Sequence, residues 1–312
     1  MSNPVKVAIL DSFTVQAEQV LKNQFKDSVK TFDSITKVSS AECLVIRSKT
    51  KVNESSCKHI SGLKLVVAST SGFDHIDLNW CKKSGIKVFN SGNAPVASVC
   101  ELTFFLITGL LRKYTEHKTN LINKGWREEV ERGQNLQGKQ LGVVGLGRIG
   151  SAVAKVANAF GMKVLACDPN QSDDLFKELK AERLGLTELI RQSDILTLHV
   201  PYTKQTHEMI NASSLHEASS DLIIINTSRG NVVREPDIVD FLRRQKIAGF
   251  GADVFKEEPI NVASDLYTLP RVLITPHIGA YTTETYENAC TEAAQIVLDY
   301  FSGSLNKTEL NP

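Results

Sequence analysis

Gly138–Asp168, GKQLGVVGLGRIGSAVAKVANAFGMKVLACD, is the stretch whose reading decides the fold. Leu141, Val143 and Val144 form a short apolar run between polar residues, the mark of a buried parallel strand. Gly145-Leu146-Gly147-Arg148-Ile149-Gly150 follows at once. Ile149, Val153, Val156, Ala157 and Phe160 then recur at helical spacing, and Gly161 is the expected C-cap. Lys163 to Cys167 is a second apolar strand, with Asp168 at its end.

Gly145 suits a tight strand-to-helix turn, Gly147 lets the backbone approach a pyrophosphate, and Gly150 lets the helix lie close to the sheet. Phosphates would then lie at a helix N-terminus, where free N–H groups and the dipole favour negative charge. Asp168 is placed to accept hydrogen bonds from a ribose diol and to repel a 2′-phosphate. No Lys or Arg follows Asp168 before Lys177 to neutralise such a phosphate, so NAD is the expected cofactor.

Outside that stretch, strands and helices alternate. Val5 to Leu10, Cys43 to Arg47, Lys64 to Ala68 and Lys87 to Phe89 read as strands, with helices at Thr14 to Asn23, through Ile60, and at Leu78 to Ser84. Ser98 to Glu101 has capping-box spacing and opens a long apolar helix expected to run to about Leu121. Trp126 and the charged run Arg127 to Arg132 form a polar arm. Further strands are expected at Asp194 to His199, Leu222 to Asn226, Ile247 to Asp253 and Val272 to Thr275, with helices at Thr187 to Gln192, Glu235 to Gln245 and Thr283 to Tyr300. The expected class is α/β, with two Rossmann-like parallel-sheet domains.

A chain of 312 residues with net charge +1 and no basic or acidic block argues against nucleic acid and anionic membranes as partners. The N-terminus MSNPVKVAIL lacks signal-peptide architecture, and Leu102 to Leu111 is too short to cross a bilayer. Six scattered cysteines without a CxxC pair point to a reduced, cytoplasmic protein. No histidines have ligand spacing such as HxxxH, so no metal site is expected.

Arg229, Glu258 and His277 stand just past three successive predicted strands. Open α/β sheets bind ligands at that edge, which places the three near the reactive end of a dinucleotide. A guanidinium grips a carboxylate, a histidine carries a proton, and a carboxylate stabilises the imidazolium. By itself Ser69 to Asp77 reads as an ordinary small-residue turn, although such a turn is able to present N–H groups to an anion. His199, at another strand end, reads as structural or cofactor-lining.

Gly145 to Gly150, Asn226-Thr-Ser-Arg-Gly230, Asp253-Val-Phe255 with Glu258-Pro259, and Thr275-Pro-His-Ile-Gly279 resemble the signature set of the D-isomer-specific 2-hydroxyacid dehydrogenases over nearly the whole chain. The resemblance implies Arg229 as carboxylate binder, His277 as acid/base and Glu258 as its partner. It implies Ser71, Gly72 and Phe73 as backbone donors to the substrate carboxylate. It implies Asp253 near the nicotinamide carboxamide, with Gly145, Gly147, Arg148, Ile149, Gly150, Asp168, His199, Thr206 and Thr227 around NAD. It also implies a discontinuous substrate domain, residues 1–97 with a helix from 281–312 returning to it, an NAD-binding domain over 98–280, and a homodimer formed through the arm.

Within the family, Val45 to Val52 and Leu136 to Gly150 resemble the phosphoglycerate-acting members most, without their C-terminal regulatory domain. Arg47 lies where some members contact a substrate phosphate, and Ala68 where certain members carry a second arginine. The expected activity is interconversion of a D-2-hydroxy acid and its 2-oxo acid. 3-Phosphoglycerate comes first, and hydroxypyruvate, glyoxylate or pyruvate second. The rivals are a dinucleotide-sensing corepressor on the same fold and, more distantly, a methyltransferase. Formate dehydrogenases carry glutamine where Glu258 stands.

Overall fold

The computed structural model describes residues 5–311, so Met1 to Pro4 of the N-terminal reading, and Pro312, lie outside the described part. The chain divides into two compact units, Met1–Pro95 with Thr282–Pro312, and Val96–Tyr281.

The first unit holds five strands, β1 (Val7–Leu10), β2 (Val29–Phe32), β3 (Cys43–Ile46), β4 (Leu65–Ala68) and β5 (Lys87–Asn90), in the order β2-β1-β3-β4-β5. All pair in parallel. β1, β3 and β4 are wholly buried and purely apolar, as a sheet covered on both faces requires. The helices Val15–Phe25 and Thr283–Ser302 cover one face, burying Ala17, Leu21, Cys290, Ala293 and Val297. Thr14 and Thr282 cap their first turns.

The second unit holds β6 (Gln140–Val144), β7 (Lys163–Cys167), β8 (Ala181–Arg183), β9 (Ile195–Leu198), β10 (Ile223–Asn226), β11 (Gly249–Ala252) and β12 (Val272–Ile274). Their order, β12-β11-β10-β9-β6-β7-β8, is that of a doubly wound parallel sheet. One line of paired residues crosses six strands: Cys167, Val144, Leu198, Asn226, Ala252 and Ile274. Every side chain named for the chemistry of this unit stands a few residues past that line, on one edge.

Three expectations need correction. β2 and β8 were not anticipated. The long apolar helix is two helices, Val96–Leu111 and Tyr114–Ile122, the first starting ahead of Ser98, which is buried. Lys113 breaks it with φ of 52°, its ammonium paired with Glu131, while the returning chain gives the Gln134 N–H to the Leu111 carbonyl at 2.9 Å.

Candidate active site

The turn after β6 has the geometry its glycines predict. Gly145 has φ of 91°, and a Cβ there would come within 2.7 Å of the His199 carbonyl oxygen. A Cβ on Gly150 would reach within 1.9 Å of the Gly145 oxygen, so the helix Arg148–Ala159 could not start so close to the strand. Above Gly147 lies open space, and no side chain caps that helix. Its first amides are therefore directed at a site with room for a pyrophosphate. Arg148 and Ile149 form the first turn.

Asp168 is engaged on both sides. Oδ2 accepts the Leu146 N–H at 2.8 Å and Oδ1 the Asn170 N–H at 2.9 Å, which ties the glycine-rich turn to the loop after β7. No Lys or Arg lies between Asp168 and Lys177, but a cation reaches this loop from further along the chain. β8 brings Arg183 back to it, where Nη2 donates to the carbonyls of Asp168 and Gln171 at 3.1 Å each. Nη1 pairs with Asp173, and the guanidinium lies over the Phe176 ring.

His199 follows β9 at the point where strand order reverses. Burial pushes its imidazole down to about 3, so the ring is neutral. Nε2 lies 2.9 Å from the Thr197 hydroxyl, and Nδ1 is buried without a hydrogen-bond partner among the described residues. Thr206 closes the next turn, its hydroxyl donating to Pro201 O at 2.7 Å. Thr227 is buried, 3.1 Å from the Thr103 hydroxyl.

Past β10, β11 and β12 the loops meet in a polar cluster. His277 Nδ1 and Glu258 Oε2 are 2.6 Å apart, and Glu258 Oε1 accepts the Phe255 N–H at 3.0 Å. The hydrogen bond to Glu258 holds His277 above its usual range, against burial and Arg229, which lower it. Burial alone would raise Glu258, but His277, the Phe255 N–H and Arg229 together bring it below the usual carboxylate range. The pair is thus poised as imidazolium and carboxylate. Arg229 spans the turn after β10, with Nη1 donating to Ser228 O at 2.7 Å. Asn226 locks that turn, accepting from Ser228 N and Oγ and donating to Arg229 O.

His277 has φ of 54°, a left-handed conformation that is costly for a residue with a Cβ. Asp253 holds it there. This buried carboxylate accepts from Thr275 Oγ1 at 2.6 Å, Ile278 N at 2.7 Å and Gly279 N at 2.8 Å, and the Asp253 carbonyl accepts the His277 N–H. Asp253 therefore organises the turn that presents His277, a role its family position did not suggest.

In the first unit, Arg47 and Ser69 to Phe73 follow β3 and β4. Arg47 Nη1 donates to Ser69 O at 3.1 Å, and its guanidinium lies over the Tyr286 ring. Asn90 Nδ2 donates to Ser71 O at 2.5 Å, and Thr70 Oγ1 to Gly72 O at 2.9 Å. Three carbonyls are thus tethered by side chains, while among the described residues the N–H groups of Ser71, Gly72 and Phe73 find no acceptor. Amides left open in this way form an anion-binding concavity. Asp11, Asn90 and Tyr286 were not singled out from sequence; Asp11 accepts the Arg47 N–H at 2.8 Å. Ala68 is fully buried in β4.

A doubly wound sheet with this turn is the arrangement of a dinucleotide-binding domain, and a histidine–carboxylate pair with arginine stands on the same edge. Residues 104–279 match the model of the D-isomer specific 2-hydroxyacid dehydrogenase, NAD binding domain. The chain belongs to that family, and its cofactor is NAD.

It is 32% identical to the D-3-phosphoglycerate dehydrogenase of Bacillus subtilis (strain 168) over 303 residues, 97% of this chain and 56% of the relative. It is 34% identical to the hydroxypyruvate reductase of Thermotoga maritima, covering 93% of this chain and 96% of that one. The structure of a D-lactate dehydrogenase from Aquifex aeolicus, complexed with NAD and lactic acid, matches with a TM-score of 0.86 and 31% identity, covering 98% of this chain and 99% of that one. The chain spans little more than half the length of several phosphoglycerate dehydrogenases it matches. Among the described residues, no helix is long and apolar enough to cross a membrane.

Proposed function

We propose that the protein is an NAD-dependent dehydrogenase that interconverts a D-2-hydroxy acid and its 2-oxo acid. The observation that carries this reading is the 2.6 Å contact between His277 and Glu258 on the cofactor edge of the sheet. NAD(H), when bound, supplies or takes the hydride. His277 gives the matching proton to the carbonyl oxygen in reduction and takes it back in oxidation, using Nε2 because Nδ1 is held by Glu258. Glu258 keeps the imidazolium charged until transfer. Arg229 grips the substrate carboxylate in fork geometry. In the first unit, the open amides of Ser71 to Phe73 offer an anion site of their own. Asp253 keeps His277 in register. Glycine-rich turn, Asp168, His199, Thr206 and Thr227 line the cofactor.

3-Phosphoglycerate is the first substrate reading, with Arg47 as phosphate contact; hydroxypyruvate, glyoxylate and D-lactate follow. The guanidinium supports it, because Ser69 O and Tyr286 fix its position while leaving donors to spare. An NADH-oxidation screen across 2-oxo acids with and without phosphate tests the assignment. Turnover of unphosphorylated acids alone would discard it, and no turnover with any of them would favour the corepressor reading.

Asp168 makes NADH the better cofactor than NADPH, which steady-state kinetics with both checks. We further propose a cytoplasmic homodimer. Tyr114, Leu121, Ile122 and Trp126 expose apolar surface on and beside the helix Tyr114–Ile122, and the six cysteines are unpaired thiols. Sedimentation of wild type against Leu121→Glu/Trp126→Glu tests the dimer.

A further inference from the structure

The loop that carries Glu258 starts from one peptide unit, Phe255–Lys256, and that unit is held from three sides. The Phe255 side chain is buried in the core. The peptide lies directly against Gly230, where a Cβ would come within 1.9 Å of the Phe255 carbonyl carbon and 2.3 Å of the Lys256 nitrogen. On the third side, the Lys256 N–H donates to Glu235 Oε1 at 2.7 Å. One residue back, the Phe255 N–H donates to Glu258 Oε1 at 3.0 Å, and Glu258 Oε2 meets His277 at 2.6 Å. Glu235 opens the helix Glu235–Arg243, so its carboxylate is anchored apart from the loop it grips. Glu208 adds ion pairs nearby, to Lys256 Nζ at 3.5 Å and Arg234 at 3.7 Å, but these partly exposed side-chain contacts are screened by water. A short N–H bond to a carboxylate is the stronger tie, and it takes hold of backbone.

We propose that Glu235 is a positioning residue for the proton relay: by holding the Lys256 amide it fixes the Phe255 N–H, which in turn sets the Glu258 carboxylate against His277. This rests on the reading of His277 as the acid/base. The charged groups that face His277 are Glu258, Asp253 and Arg229, and Glu235 is not among them. Glu235 therefore acts on the imidazole only through the loop. An acid in the first turn of a helix also complements the macrodipole, a task that requires charge but not reach. Two substitutions separate the tasks. Glutamine keeps the reach and an acceptor oxygen without the charge. Aspartate keeps the charge but falls one methylene short of the Lys256 N–H.

An NMR titration of the full chain with isotope-labelled histidine, the His277 signal assigned by its loss in His277→Ala, tests this without turnover. His277 should titrate at the same pH in wild type and Glu235→Gln, and at lower pH in Glu235→Asp. With the 2-oxo acid that the NADH screen selects, kcat for reduction should fall roughly tenfold in Glu235→Asp and stay within about threefold in Glu235→Gln, with KM little changed in either. In a Glu258→Gln background, Glu235→Asp should shift His277 no further, because its effect passes through Glu258. If Glu235→Asp melts early, Glu235→Ala must show the same fall. A His277 titration unmoved by these shortened side chains, or moved equally by Glu235→Gln, overturns the proposal. A His277 titration unmoved by Glu258→Gln alone would instead overturn the pairing of Glu258 with His277 on which it rests.

Discussion

The two sheet edges prepare for anions by opposite means. In the first unit, Arg47, Asn90 and Thr70 tie down the carbonyls of Ser69, Ser71 and Gly72, which leaves the amides of residues 71–73 without an acceptor among the described residues. In the second, charged side chains are offered directly, and the backbone serves to aim them: Asp253 takes three donors to set the His277 turn, and Asn226 sets that of Arg229. Amide sites are insensitive to pH, whereas the second edge holds a titrating pair. Mutations at the first edge should therefore change substrate affinity, and mutations at the second should change rate and its pH dependence.

The largest effect separating the two is expected at His277. Removing a positioned acid/base costs about 10²–10⁴-fold in rate. His277→Ala should lose that much kcat while NADH binding by fluorescence titration stays near wild type. A variant within threefold of wild type would remove His277 from the chemistry. Next comes Arg47→Ala. A lost charge-assisted contact should weaken phosphorylated substrates by about 1.5–3 kcal/mol and leave unphosphorylated acids nearly unchanged, read as kcat/KM for each. Equal losses for both would make Arg47 only a brace for the loop, through Ser69 O.

Smaller again is Asn90→Leu. Freeing the Ser71 carbonyl lets the loop relax, and a lost hydrogen bond of about 1 kcal/mol corresponds to roughly fivefold in KM for the acid, with kcat little altered. If kcat falls and KM holds, the first edge acts in the chemical step and the contrast between the edges breaks down.

Sequence legibility followed the same division. Side-chain chemistry and glycine geometry could be read: the turn Gly145–Gly150, the acid at the end of β7, and Arg229, Glu258 and His277 past strand ends. Amide chemistry could not, because Ser71, Gly72 and Phe73 carry no side chain that announces it. Residue types alone gave an ordinary turn there, and only the family pattern suggested donors.

β2 and β8 escaped for a different reason. Both are edge strands, VKTF and AER, with mostly exposed side chains and no apolar run to mark them. Missing β8 also concealed Arg183, fifteen positions past Asp168 in sequence yet bonded to its carbonyl. The helix break at Lys113 was hidden because what meets it there, Glu131 on the Lys113 ammonium and the Gln134 N–H on the Leu111 carbonyl, is tertiary. The left-handed backbone of His277 has no sequence signal either, since Asp253, which enforces it, lies at the end of the preceding strand.

The central claim is that Glu258 keeps His277 protonated through the range where reduction runs, and kcat/KM against pH in both directions for wild type and Glu258→Gln tests it most directly. Reduction requires the imidazolium, so its rate is present below the raised His277 pKa and is lost as pH rises through it. Glutamine preserves shape and a hydrogen-bond acceptor but removes the charge. The alkaline limb of reduction should move to lower pH, and oxidation, which needs neutral His277, should become usable at correspondingly lower pH. Arg229 is untouched, so binding of the carboxylate should survive. Limbs that stay in place, with a primary isotope effect from deuterated NADH showing that hydride transfer limits the rate, would contradict the coupling of Glu258 to His277.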